Sequence, residues 1–350
     1  MNKEEIVQKL RDSEILGKGG AAFPVWQKWE SCDSAEGDVK YIICNSSEGE
    51  FGVFKDLYIW RNHMDKVFRG IDYAAQFLGN SEVYIHINRN YYNELQPALF
   101  KFINDRKWKT IFHISVEENC YIGGEASAVL NIIETGVAQP KPRINRTVVK
   151  GLFEKPTLMQ NVETFYDIAL VLDGEYDFCR FSCVFGDGVE ENFVVRHGVK
   201  TTIAGVFEKN NIDPHFEYFV QIGGGGCGVV LDQSQLAENI MTGVGSIEIF
   251  DKSKNNFLTF LQRLGGFFQK EACGKCLGKG FVTNLNNFLK TLATEREAIG
   301  SIQNLAIFME EIHKKTFCKL CKSFKTPFDT YCQNILGVNI NEYYAETNKN

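Results

Sequence analysis

Up to about residue 172, short apolar runs alternate with stretches of helical period. Tyr41-Ile-Ile-Cys44 and Val83-Tyr-Ile-His-Ile87 predict strands, while Val67 to Leu78 and Gly124 to Glu134 predict helices. The first residues, Met1-Asn-Lys-Glu-Glu-Ile, open an amphipathic helix that the pattern carries through Leu16. Strand and helix in alternation predict an α/β layered domain over residues 1–172. From Tyr176 to Phe250 the segments shorten and become β-rich. Phe193-Val-Val-Arg, Phe216-Glu-Tyr-Phe-Val-Gln-Ile and Ile247-Glu-Ile-Phe are bounded by glycines, which predicts a small second domain over residues 173–250. Beyond Ser253, apolar positions recur at helical spacing around Leu258, Leu261 and Leu264, then Leu285, Phe288 and Leu292, then Leu305, Phe308 and Ile312. These predict a helical bundle over residues 251–345.

Composition narrows the function classes. The 350 residues are 44% hydrophobic, enough to bury real cores, and 38 basic against 44 acidic residues give a net charge of −6. That balance excludes the basic footprint of a nucleic-acid or anionic-membrane binder. The polar start has no apolar signal core, and no apolar run approaches the ~18 residues of a membrane span. The expectation is a cytoplasmic protein whose association with a membrane, if any, runs through partner subunits. Eleven cysteines in a reducing compartment point to metal or redox use of some of them rather than to a disulfide framework. Cys32, Cys44, Cys120, Cys179, Cys183, Cys227 and Cys332 read as small buried hydrophobes, and the six histidines show no metal spacing.

The remaining cysteines form two pairs, Cys273-Gly-Lys-Cys276 and Cys318-Lys-Leu-Cys321. Two such grips close a tetrahedral four-thiolate shell, which suits zinc and an iron–sulfur cluster equally well. Four further stretches carry cofactor chemistry. Gly17-Lys-Gly-Gly-Ala-Ala-Phe-Pro24 lets backbone N–H groups approach a phosphate or a flat ring. Asn45-Ser-Ser-Glu48-Gly-Glu50-Phe-Gly52-Val-Phe-Lys55-Asp56 begins at a strand end, where α/β sheets collect ligands. Tyr121-Ile-Gly-Gly124-Glu125 opens a helix, and Gln160-Asn161-Val-Glu163-Thr164 leads into another.

Taken in order, these stretches resemble the flavin-carrying, NADH-oxidising subunit of respiratory complex I and its relatives in NAD-linked hydrogenases and formate dehydrogenases. Asn45 to Gly52 resembles that family's Asn-Ala-Asp-Glu-Gly-Glu-Pro-Gly, Tyr121 to Ala128 its Tyr-Ile-Cys-Gly-Glu-Glu-Thr-Ala, and Glu271 to Cys276 its Glu-Ser-Cys-Gly-x-Cys. The resemblance implies an FMN-binding α/β domain, then a β-grasp domain of the SLBB type, then a helical domain holding one [4Fe-4S] cluster. That background favours iron over zinc. By position, Gly17, Gly19, Gly20, Lys28, Asn45, Glu48, Tyr121, Gly124, Glu125 and Asn161 would line FMN. Phe23, Glu50 and Lys141 would face NADH. The implied activity is electron input: hydride from NADH to FMN, then single electrons to the cluster and on to iron–sulfur subunits of a larger redox complex.

The match departs at particular positions. Ser47 stands where the family has aspartate, Ala126 where it has a second glutamate, Gln160 where it has asparagine, and Ser31 near its adenine-stacking aromatic. Lys279 occupies the third cysteine position, so Cys321 is expected to complete the ligand set with Cys273, Cys276 and Cys318. Two other readings are consistent with the residues. One is a docking or relay subunit that keeps the cluster but is fed by flavodoxin or ferredoxin, and the other is a zinc-stapled scaffold.

Overall fold

The apolar runs of the N-terminal half pair side by side as a parallel sheet. The computed structural model describes residues 1–20, 22–142, 145–316 and 319–347. It divides into two units, one comprising residues 1–49 and 54–181 and the other residues 50–53 and everything from Ser182 onward. In the first unit, β1 (Lys40–Ser46), β2 (Ser81–Asn88), β3 (Ile111–Glu117) and β4 (Thr157–Asn161) lie in the order β3-β2-β1-β4. The neighbouring strands run parallel, with Asn45 opposite Asn161 and Asn88 opposite Glu117. Parallel neighbours require crossovers. Here these are α3 (Lys55–Leu78) and α4 (Arg89–Asn104), with α5 (Ala126–Thr135) between β3 and β4. Helices α1 (Lys3–Asp12), α2 (Val25–Ser34) and α6 (Val162–Asp173) complete the unit. Ile42, Ile43 and Cys44 of the central strand are fully buried, as a sheet covered on both faces demands.

Two boundaries differ from the sequence pattern. Helix α1 stops at Asp12 rather than running through Leu16, because Glu14 adopts φ 53 and Leu16 pairs with Pro24 instead. Helix α3 begins at Lys55, well before Val67, because its first turn buries two charged residues, Lys55 and Asp56, that hide the apolar stripe. Further along, α3 crosses α6 at very close range. A Cβ placed on Gly70 would lie 1.9 Å from the carbonyl oxygen of Phe165.

In the second unit, β5 (Cys179–Gly186), β6 (Phe193–Gly198), β7 (Tyr218–Ile222), β8 (Val229–Asp232) and β9 (Ser246–Asp251) form a mixed sheet ordered β6-β5-β9-β7-β8. Helix α7 (Ile203–Lys209) packs Ile203, Val206 and Phe207 onto Val184, Val220 and Ile249 of that sheet. Then come α8 (Phe257–Glu271), α9 (Gly278–Thr291), α10 (Glu295–Gly300), α11 (Ile302–Lys315), α12 (Lys319–Ser323), α13 (Lys325–Asn334) and α14 (Ile340–Thr347). Helix α13 covers the edge strand β8. Thr330 accepts the Val230 N–H at 2.9 Å, and the Asn334 amide donates to the Val230 carbonyl at 2.7 Å. Among the described residues, no helix is long and apolar enough to cross a membrane.

A buried ion cluster pins the carboxyl ends of the first unit's strands. The Lys55 ammonium, 1% exposed, bonds to Asp56 and to Asn161 Oδ1 at 3.3 Å, and lies 3.5 Å from Glu163 and 3.7 Å from Glu48. Asn161 also donates to Asp56 at 2.6 Å, while Glu48 accepts the Asp56 N–H at 2.9 Å and the Tyr91 hydroxyl at 3.0 Å. Burial opposes the charge on Lys55, but Asp56, Glu48 and Glu163 together hold its pKa above the ordinary lysine value. Burial and then the neighbouring Asp56 push the Glu48 carboxyl up to about 8. Glu163 is held low: burial works against its charge, but Lys55, Arg180 and Lys18 outweigh it.

Gly70→Ala should destabilise the first unit by about 3 kcal/mol through overpacking at the α3–α6 crossing, seen as a lower urea midpoint. Because the folded state holds the Glu48 proton to about pH 8 while an unperturbed glutamate releases it near 4.5, Glu48 contributes stability that is full below pH 4.5. That contribution is lost as the pH rises through 8. Glu48→Gln should therefore flatten the fall in urea midpoint between pH 5 and pH 9, and an unchanged slope would contradict the assignment.

Candidate functional site

Three loops meet at the carboxyl rim of the parallel sheet, each leaving a different strand end or helix. The loop after α1 is closed by the Gly17 N–H donating to the Phe23 carbonyl at 2.9 Å. It is tied to the start of α6 by the Lys18 N–H, which donates to Thr164 Oγ1 at 2.9 Å. Gly20 adopts φ 90, and a Cβ on Gly19 would stand 3.4 Å from Asn161 Cβ. Lys28 reaches from α2 to the Met159 carbonyl on β4 at 2.7 Å.

At the end of β1, the Asn45 amide donates to the Gly124 carbonyl at 3.0 Å, and the Asn161 amide donates to the Asn45 carbonyl at 3.3 Å. The segment after β1 and the 3-10 turn Tyr121–Gly124 interlock at backbone distance. A Cβ on Gly124 would lie 2.6 Å from the Ser47 carbonyl oxygen, and one on Gly49 would lie 2.7 Å from Tyr121 Cα. His86, fully buried on β2, fixes that turn from below, with Nε2 3.1 Å from the Gly123 carbonyl and Nδ1 3.1 Å from Ser115 Oγ. Burial lowers its pKa to about 4, so near neutrality the ring is uncharged and Nε2 carries the proton donated to the carbonyl.

The rim thus brings together Gly17, Gly19, Gly20, Lys28, Asn45, Glu48, Tyr121, Gly124, Glu125 and Asn161. Two of these carboxylates have fold-level partners. Glu48 belongs to the Lys55 cluster, and Glu125 caps α5 by accepting the N–H groups of Ser127 at 2.8 Å and Ala128 at 3.0 Å. Phe23 lies beneath the Arg146 guanidinium at 5.4 Å, and Lys141 pairs with Glu134 at 3.4 Å. Glu50 belongs to the second unit, where it accepts the Gly226 N–H at 2.7 Å. Lys55 and Asp56 close the polar stretch that the sequence marks after β1, whereas nothing in the sequence marks His86 or Glu117 as part of the site.

The rim suits a flavin mononucleotide. Its loops approach so closely that glycine is required, and Gln160 Nε2, buried at the end of β4, has no hydrogen-bond partner among the described residues. Flat rings and phosphates are held by N–H donors on such small-residue loops.

The cysteine stretch lies in the second unit. Gly274 takes φ 76 and turns the chain between Cys273 and Cys276, and Cys276 Sγ accepts the Gly278 N–H at 3.4 Å. Cys321, on α12 and 2% exposed, comes to the same glycine: a Cβ on Gly278 would lie 2.8 Å from Cys321 Sγ. Lys279 extends along the Gly274 turn, its Cδ 3.5 Å from where a Cβ on that glycine would stand. Cys332 is fully buried on α13, and burial pushes its thiol up to about 12. Cys318 lies outside the described residues. Among the described residues, no three His, Cys, Asp or Glu side chains are grouped to hold a metal. The all-thiolate donor set itself suits an iron–sulfur cluster.

The chain is similar to known proteins. Residues 10–170 match the family described as the Nuo51 FMN-binding domain, and residues 259–335 match the iron–sulfur binding region of NADH-ubiquinone oxidoreductase F. The chain is 26% identical to the F 2 subunit of the NADH-quinone oxidoreductase of Rhizobium meliloti, over 91% of this chain and 83% of that one. It is 28% identical to the alpha subunit of the NAD-reducing hydrogenase HoxS of Cupriavidus necator, over 79% of this chain but only 50% of that one. A crystal structure of an NAD+-reducing [NiFe]-hydrogenase in the H2-reduced state superposes with a TM-score of 0.82 at 22% identity. That superposition covers 98% of this chain and 62% of the hydrogenase chain, and it establishes a common fold. The FMN-binding match and the iron–sulfur match fall on successive stretches of one chain, which is in this respect similar to subunits of NADH-quinone oxidoreductases and NAD-reducing hydrogenases.

Proposed function

We propose that this chain is the electron-input subunit of a multisubunit oxidoreductase, taking hydride from NADH onto FMN and passing single electrons through a [4Fe-4S] cluster to partner iron–sulfur subunits. The observation that carries this reading is the meeting of three glycine-dependent loops at the carboxyl rim of the parallel sheet. When bound, FMN supplies the exchange between two-electron and one-electron chemistry. The residues of the chain hold and orient it. With the Gly17 and Lys18 N–H groups committed to holding the loop, Gly19 and Gly20 bring its backbone to the ligand, Asn45 and Asn161 cross-link the strand ends beneath it, and Lys28 brings a cation to β4. Phe23, Glu50 and Lys141 are assigned to the dinucleotide side. No side chain has to act as a general acid or base, because hydride transfer moves no separate proton at a protein atom.

The cluster ligands are read as Cys273, Cys276, Cys318 and Cys321. Cys321 replaces the thiolate that Lys279 cannot supply, and the approach of Cys276 and Cys321 to Gly278 supports this choice over the deeply buried Cys332. We further read residues 1–172 as the FMN-binding domain, residues 173–250 as an SLBB-like β-grasp domain and residues 251–345 as a helical iron–sulfur domain. The mixed sheet with α7 across one face supports the second of these. The protein would work in the cytoplasm, reaching a membrane only peripherally through its partners.

Anaerobically purified protein should contain flavin and iron, and its flavin absorbance should bleach on addition of NADH. A brown, flavin-free protein that ignores NADH would overturn the reading. Cys321→Ser should abolish the cluster's electron paramagnetic resonance signal while Cys332→Ser preserves it, and the reverse pattern would reassign the fourth ligand.

A further inference from the structure

We propose that Glu117 is a flavin-positioning residue, a buried carboxylate that clamps two FMN-facing loops together, and that Ser47 is the hydroxyl partner this clamp requires. The inference rests on the reading that FMN binds at this rim. Glu117 is the last residue of β3, stands opposite Asn88 and is 2% exposed. Its Oε1 accepts the Ser47 hydroxyl at 3.0 Å. Its Oε2 accepts the Cys120 N–H at 2.9 Å and the Cys120 thiol at 3.4 Å. One side chain therefore joins the segment after β1 to the turn after β3. These are the segments that interlock at Gly124 against Ser47 and at Gly49 against Tyr121. A Cβ on Gly123 would lie 2.9 Å from Glu117 Oε2, so the turn is moulded around the carboxylate.

A buried carboxylate is costly, and the strand ladder does not require one here. The adjacent Glu118 is exposed and pairs with Arg89. Burial pushes the Glu117 carboxyl up, and the Cys120 and Ser47 hydrogen bonds pull it back. Ser47 is also where the chain departs from the family's aspartate. A carboxylate at both positions would place two acids about 3 Å apart, where both cannot ionise. A hydroxyl opposite one carboxylate keeps the hydrogen bond and a single acid at this point of the rim. The two positions therefore form one unit, with the acid on β3 and the donor after β1.

The test is FMN titration of the flavin-stripped full-length protein, followed by fluorescence quenching, with the absorption spectrum of the bound flavin as a second readout and thermal unfolding of the flavin-free forms as a control. Glu117→Gln and Ser47→Asp should each weaken FMN binding by about tenfold or more, the effect of losing or opposing one charge-assisted hydrogen bond. The exchange variant, Ser47→Asp with Glu117→Ser, should bind within about threefold of the natural protein and restore its flavin spectrum, a strong non-additivity. Unchanged FMN affinity in Glu117→Gln would overturn the clamp, and so would an exchange variant as weak as the product of the single changes. If the single variants do not fold, the exchange variant decides alone: binding upholds the clamp and loss of binding refutes it. Failure of the natural protein to take up FMN would instead refute the proposed function.

Discussion

The ammonium of Lys55, buried among Glu48, Asp56 and Glu163, is the interaction on which the geometry of the sheet's carboxyl rim depends. It sits at the first residue of α3, and its partners come from the segment after β1, from α3 itself and from the start of α6. A lone charge at that depth would be untenable, and so would the neighbouring acidic groups in ionised form without it. The cluster is stable only as a set, and completing the set fixes where each strand end turns. Asn161 illustrates the linkage. It accepts from Lys55, donates to Asp56 and to the Asn45 carbonyl, and caps α6 by accepting the Glu163 N–H at 3.0 Å.

Above this charged floor the rim is assembled from backbone rather than from side-chain bulk. Gly49, Gly124 and Gly19 let chain segments approach to distances that a methyl group would block or crowd. His86, held neutral by burial, and Glu117, held in place by its own hydrogen bonds, fix the Tyr121–Gly124 turn from two directions. Polar groups committed inward set the shape of the rim. The second unit uses a different device. Cys276, just ahead of α9, and Cys321, in the short helix α12, both come to the small residue Gly278.

Periodicity in the sequence located several elements: β1, β2, β6, β7 and β9, together with α5, α8, α9 and α11, lie where the apolar pattern put them. It located Val67 to Leu78 but missed the first turns of α3, ahead of the non-helical His63, for a physical reason. A helix that buries Lys55 and Asp56 in an ion cluster does not show an apolar stripe there, and charge at a core position is legible only once its partners are known. It also failed at Leu16, where a positive φ at Glu14 ends the helix although the local pattern would allow it to continue.

By itself, the sequence determined the order of the cofactor stretches, the glycines that permit close approach and the thiolate pairs that suit an inorganic centre. These are properties of residue type and spacing, and neighbours in space do not alter them. Only the tertiary structure decided that Glu48 and Glu125 are taken up by an ion cluster and a helix cap, and that Ser47 faces a buried Glu117. It also decided that Cys276 and Cys321 come to the same glycine. Such pairings join segments tens to hundreds of residues apart, and the packing of strands and helices, rather than any local preference, sets which side chains meet.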